Sequence, residues 1–101
     1  MDPERLIGSW VHSHEEDTAT EQVFRRADYA FPPSRGREAL ELRSDGTVAV
    51  RRPGPTDAPQ EVEGTWALEG SNLMIREDNE GAGERSLAVL DADDSRLVLR
   101  A

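Results

Sequence analysis

Apolar residues in this chain alternate with polar ones over short stretches, and residues that turn a backbone separate each stretch from the next. Leu40 and Leu42 precede Ser44-Asp45-Gly46-Thr47, and Val48 and Val50 follow it. Val62, Gly64, Trp66 and Leu68 alternate up to Glu69-Gly70-Ser71-Asn72, beyond which Leu73 and Ile75 resume. Leu87 and Val89, then Leu97 and Leu99, flank the turn-forming run from Asp91 to Ser95. A period of two puts successive apolar side chains on one face of a strand, whereas a helix needs a period near 3.6. With a strand over Ile7 to Glu15 and another near Gln22 to Arg26, the pattern predicts eight short strands. Pro53-Gly54-Pro55, Asp57-Ala58-Pro59 and the polar run Asp78 to Glu84 read as loops. Most links are short, and short links join antiparallel neighbours. The expected fold is therefore all-β: an eight-stranded antiparallel up-and-down barrel, which closes on itself and leaves no sheet edge. Asp2-Pro3 predicts a short helical turn at the N-terminus, ended by Gly8. The 101 residues are expected to form one domain, 1–101. An eight-stranded barrel has an interior just wide enough to be filled by side chains or to hold one small ligand. The twelve large aliphatic residues of the alternating series nearly fill such a space. Trp10 and Trp66 read as core. What is left is a small, polar-mouthed pocket at most.

Gly8-Ser9-Trp10, opening the first strand after a one-turn helix, resembles the Gly-x-Trp signature of lipocalin-like (calycin) barrels. That resemblance implies that the tryptophan closes one barrel end and that an arginine of the last strand, Arg96 or Arg100, packs over it. Asp45-Gly46-Thr47 and Gly64-Thr65-Trp66 look like small bacterial lipocalin-like domains. HSHEEDT, DYAFPPSRGR and EGTW together resemble a family of small bacterial proteins of uncharacterised function, so the resemblance brings no activity with it. The chain is shorter than ordinary lipocalins, which argues against a roomy cavity.

Charge narrows the partners. The formal net charge is -9, and all 12 basic residues are arginine. Nucleic acid and anionic membrane surfaces are repelled by such a molecule, so neither is expected as a partner. Without cysteine there is no disulfide, thiolate metal site or thiol nucleophile. The start of the chain lacks a signal-peptide pattern, and no apolar run approaches the roughly 18 residues of a membrane span, so the expected setting is cytoplasmic. The charge is uneven: residues 25–43 carry five arginines against three acids, a basic island in an acidic chain.

Two stretches carry candidate chemistry. His12 and His14 would share the Trp10 face of a strand, with Glu16 continuing it. Two imidazoles and a carboxylate can reach one metal, but a third histidine is missing, and no metal or other cofactor is expected. If Trp10 points inward, both histidines line the interior, where they need hydrogen-bond partners. If that face is outside, the strand leaves the barrel wall there, with Glu15, Glu16 and Asp17 solvated. The second stretch, Asp28 to Arg37, joins the second and third strands. Pro32-Pro33 stiffens it. Tyr29 and Phe31 can lid an apolar mouth, and Arg35 and Arg37 can hold a carboxylate or phosphate through two parallel N–H bonds. The structural alternative pairs both arginines with nearby acids such as Asp17, Glu38 or Asp57.

No Gly-rich phosphate loop and no nucleophile elbow occurs. Three functions remain. The leading one is a non-enzymatic barrel that binds a small anionic ligand through His12, His14, Tyr29, Phe31, Arg35 and Arg37. The second is a barrel-mouth isomerase, cyclase or hydrolase with a histidine as general base. The third is an interaction module that dimerises or docks through the FPPSRGR loop, residues 31–37, which an exposed patch of Tyr29 and Phe31 buried in a dimer would favour.

Overall fold

Each alternating stretch lies in a strand of the computed structural model, which describes residues 3–33, 37–52, 60–77 and 84–100. Asp2, Ser34 to Gly36, the two proline-bearing runs between 53 and 59, and 78–83 lie outside the described residues. The strands are β1 (Gly8–His12), β2 (Glu21–Arg26), β3 (Ala39–Leu42), β4 (Thr47–Arg52), β5 (Gln60–Glu69), β6 (Asn72–Glu77), β7 (Glu84–Ala92) and β8 (Arg96–Arg100). They close into a barrel in the order β1-β2-β8-β7-β6-β5-β4-β3. Every neighbouring pair is antiparallel, so strands alternate up and down around the whole circumference. The helical content among the described residues is two 3-10 turns, Pro3–Leu6 and His14–Glu16. No described helix is long and apolar enough to cross a membrane.

From β3 to β8 each strand pairs with the next in sequence. β1 lies between β2 and β3, and the barrel closes through β2 and β8. β2 and β3 are both antiparallel to β1, so they run in the same direction. Their link must travel the length of the barrel, as any connection between like-directed strands must. This explains why the segment from Ala27 to Glu38 is long. At its start, Arg25 of β2 lies over the Tyr29 ring, 4.9 Å from its centroid.

The inward faces pack a continuous core. Leu6, Trp10, Phe24, Leu40, Leu42, Val48, Val50, Leu73, Ile75, Val89, Leu97 and Leu99 are all buried within it, with Trp66, Leu68 and Leu87 packed against it. Tight turns set the register. Asp45 Oδ1 accepts from the Thr47 N–H at 2.9 Å, and Asp93 Oδ1 accepts from the Ser95 and Arg96 N–H groups at 2.8 Å each. These are side-chain-closed turns of the kind aspartate favours. A bulge between Val89 and Asp91 puts one extra residue into β7 and leaves Leu90 exposed.

One end is sealed. The Trp10 indole N–H donates to Leu6 O at 2.9 Å, tying the first 3-10 turn across the barrel floor. The arginine over Trp10 is Arg26, with its guanidinium carbon 3.7 Å from the ring centroid. It donates to Asp94 O at 2.9 Å and to Ile7 O at 3.1 Å. The expected Arg96 instead bonds Asp91 Oδ2 at 2.9 Å. The strand order gives the reason. β2 separates β1 from β8, and Arg26 is the residue in register with Trp10.

Candidate functional site

At the opposite end, the mouth, β1 stops at His12 and not at Glu15. Ser13 is the cause. Its N–H donates to Val23 O at 2.8 Å, and its carbonyl accepts from the Glu16 N–H at 3.0 Å. Its buried hydroxyl donates to Glu16 Oε2 at 2.8 Å. Ser13 and Glu16 form a Ser-x-x-Glu pattern, a known signal for starting a helical turn, which competes locally with extended backbone. The expected shared face of His12 and His14 is therefore broken. His12 stays on the Trp10 side and stacks on Phe24, with ring centroids 5.0 Å apart. His14 sits on the second 3-10 turn with its side chain 49% exposed, and its ring lies 6.1 Å from that of His12.

The three carboxylates that follow are all engaged. Glu15 takes both arms of the Arg37 fork, with Nη1 at 2.8 Å from Oε1. Glu16 takes Arg25 Nε at 2.8 Å and Nη2 at 2.7 Å. Asp17 meets His12 Nε2 at 2.8 Å and accepts the Val23 N–H at 2.9 Å. Hydrogen bonding to Arg37 holds the Glu15 carboxyl at about 2, down from 4.5, and hydrogen bonding to Arg25, with help from Ser13, does the same for Glu16. Expected as solvated if that face lies outside, these acids form a latch that folds the second 3-10 turn against β2 and the segment before β3.

Arg37 ties several pieces together. It also donates to His12 O at 3.0 Å and Pro32 O at 2.8 Å, and its guanidinium lies 4.8 Å from the Phe31 ring centroid. Its side chain is 9% exposed. The acid it takes among the described residues is Glu15, and Asp57 lies outside them. Tyr29 and Phe31 meet edge to face at 4.9 Å, and Tyr29 is 39% exposed. Arg35 lies outside the described residues. The structure thus gathers His14, Tyr29, Phe31 and Arg37 around the latch on the outer face, and leaves His12 at the lumen.

Inside the mouth are charged residues that are not among the site residues expected from the sequence. Arg85 of β7 is in register with inward Ile75, and its Nη2 lies 3.8 Å from Oε1 of Glu38, one residue before β3. β3 and β7 face each other across the barrel in the strand order, so this ion pair spans the lumen. Glu77 follows Leu73 and Ile75 on the same face and has a buried carboxylate oxygen. The signal was present in the alternation. Stepping back by two from Leu87 gives Arg85, from Leu40 gives Glu38, and stepping on from Ile75 gives Glu77. Above the apolar core, then, lies a polar layer of His12, Glu38, Glu77 and Arg85. Among the described residues no group of three or more histidine, cysteine or acidic side chains is placed to hold a metal ion. The closed antiparallel barrel is compatible with a lipocalin-like fold. No protein family matches the chain, and no curated protein and no solved structure is significantly similar to it.

Proposed function

We propose that this protein is a small-molecule-binding barrel whose ligand enters at the mouth beside His12 and carries an anionic group. The observation that carries the reading is the Arg85–Glu38 pair. At 3.8 Å it is longer than the 2.7–2.9 Å of a tight charge-assisted bond, and both side chains retain contact with water. A ligand carboxylate or phosphate that reaches Arg85 exchanges one loose contact for a closer one, over a floor already dry. His12, held by Asp17 and Phe24, lies on the same inward face as Trp10 at that end of the barrel. Arg37 supports this site from outside by holding the His12 carbonyl and the latch.

The test is titration of the labelled protein with acetate, succinate and inorganic phosphate, followed by the His12 imidazole and Ser86 and Leu87 amide resonances. One anion should saturate, and Arg85→Ala should remove the effect while the spectrum stays folded. Shifts that grow linearly with every salt, or that survive Arg85→Ala, would sink the proposal. The His12–Asp17 pair favours a second reading, a general-base enzyme, because the carboxylate orients the imidazole. Catalytic turnover abolished by His12→Gln with ligand affinity retained would select it.

A further inference from the structure

We infer, building on the mouth site proposed for the anion, that this site is proton-linked. A proton taken up by His12 tightens it, so the protein holds its anion at lower pH and yields it at higher pH. His12 Nε2 lies 2.8 Å from Asp17 Oδ2, with the two side chains 20% and 25% exposed. Solvent can therefore deliver the proton, yet screens its charge only in part. Histidine is the side chain whose ordinary change of charge falls between about pH 5 and about pH 8. Asp17 is already fixed, because its other oxygen accepts the Val23 N–H at 2.9 Å, and the imidazole is stacked on Phe24. Protonation thus changes the charge of the ring without requiring it to move.

Strand register brings that charge to the anion. Trp10 pairs with Leu40 and Val11 with Ala39, and the His12 N–H donates to Glu38 O at 2.8 Å, which continues the β1–β3 ladder by one step. Residues opposed in this way share a face, with Cβ atoms about 4.5–5.5 Å apart. Glu38 is the acid that Arg85 Nη2 meets at 3.8 Å. A proton on His12 gives Glu38 a second cation beside it, and so weakens its competition with an incoming anion for Arg85. Among the described residues, Asp17 and His14 face His12 from the second 3-10 turn, and Arg37 and Glu38 from the segment before β3. Glu77 of β6 and Arg85 of β7 share the inward face, and β2 offers the uncharged Phe24. Arg37 is engaged by Glu15. Acids thus outnumber the guanidinium left to receive an anion. On a chain of net charge -9 that balance opposes anion entry until a further positive charge is supplied. His12 is the described group on the inward face that can gain one.

Acetate and sulfate keep a constant charge between about pH 6 and about pH 8, so a change in their binding over that range belongs to the protein. Each is titrated into the labelled protein at both ends of the range, followed by the Ser86 and Leu87 amides. Affinity for the anion that saturates should be about fivefold or more higher at the lower pH, the low end of ordinary coupling between sites. His12→Gln should flatten that dependence with the spectrum still folded, and His14→Gln should leave it. Linkage supplies a check that needs no variant: a saturating anion must move the His12 imidazole titration to higher pH by the same factor. Equal affinity at the two ends, a dependence that survives His12→Gln, or a His12 titration unmoved by the anion would overturn the inference and leave the mouth site in place. Saturation by neither anion at either pH would remove the mouth site, and the proton linkage with it.

Discussion

Gly8 shows how one residue can license the sealing of a barrel end. Its φ is +126°, and a Cβ built there would lie 2.4 Å from Arg26 Nη1. Any side chain would both strain the backbone and push the guanidinium off Trp10. Gly8→Ala should therefore destabilise the protein by about 1–3 kcal/mol, the usual range for a residue forced into such a conformation. Urea unfolding measures this directly, and an unchanged midpoint would mean that Arg26 is not held where it is described. Gly64 makes the same point without a special φ. A Cβ there would meet the Arg76 carbonyl oxygen at 2.0 Å, a contact with backbone that cannot swing aside. Gly64→Ala should lower the midpoint more than Gly8→Ala, because the guanidinium near Gly8 can move and the β6 backbone cannot.

Among the elements, the acidic latch has the clearest pH signature. Glu15 and Glu16 are depressed from 4.5 to about 2 in the folded protein. A depressed carboxyl contributes stability at pH values above its unfolded value, and that contribution is lost as pH falls through the folded one. The window therefore runs from about pH 4.5 down to about pH 2. Both side chains are partly exposed, so solvent screening keeps the effect modest. The melting temperature of the wild type should fall across this window more steeply than that of the Glu15→Gln/Glu16→Gln variant. Parallel curves would show that the latch is not formed in solution. Arg37 is the latch's other half, and Arg37→Ala should cost more stability than Arg51→Ala. Arg51 is largely exposed and reaches Glu61 only at 3.7 Å, whereas Arg37 serves Glu15 and two backbone carbonyls.

For the whole molecule, the order of strands matters more than their number. The barrel closes through β2 and β8, and β1 is inserted between β2 and β3. Gln22 in register with Leu99, and Phe24 with Leu97, are contacts between opposite ends of the chain. Closing such distant pairs is entropically expensive before any contact repays it, which places this topology among slow folders. The principal refolding phase after dilution from urea should fall in the millisecond-to-second range. Microsecond refolding would argue against the described closure. Leu97 is fully buried where β8 meets the core, and Leu97→Ala should cost about 2–5 kcal/mol in equilibrium unfolding.

The period-two pattern determined the strands and their inward faces, because alternation is a local property that a pleated backbone converts directly into sides. It also contained Glu38, Glu77 and Arg85 as extensions of apolar series, although charge made them look like surface residues. The end of β1 at Ser13 was written in Ser-x-x-Glu, a local competition that alternation alone hides. The pairing of strands was not local. Nothing within β1 dictates that β2 and β3 lie on either side of it, and so nothing in the sequence named Arg26, rather than Arg96 or Arg100, as the cover of Trp10. The partners of Glu15, Glu16 and Asp17 were likewise decided in three dimensions, because a charged side chain is paired by whatever the closed barrel brings within reach.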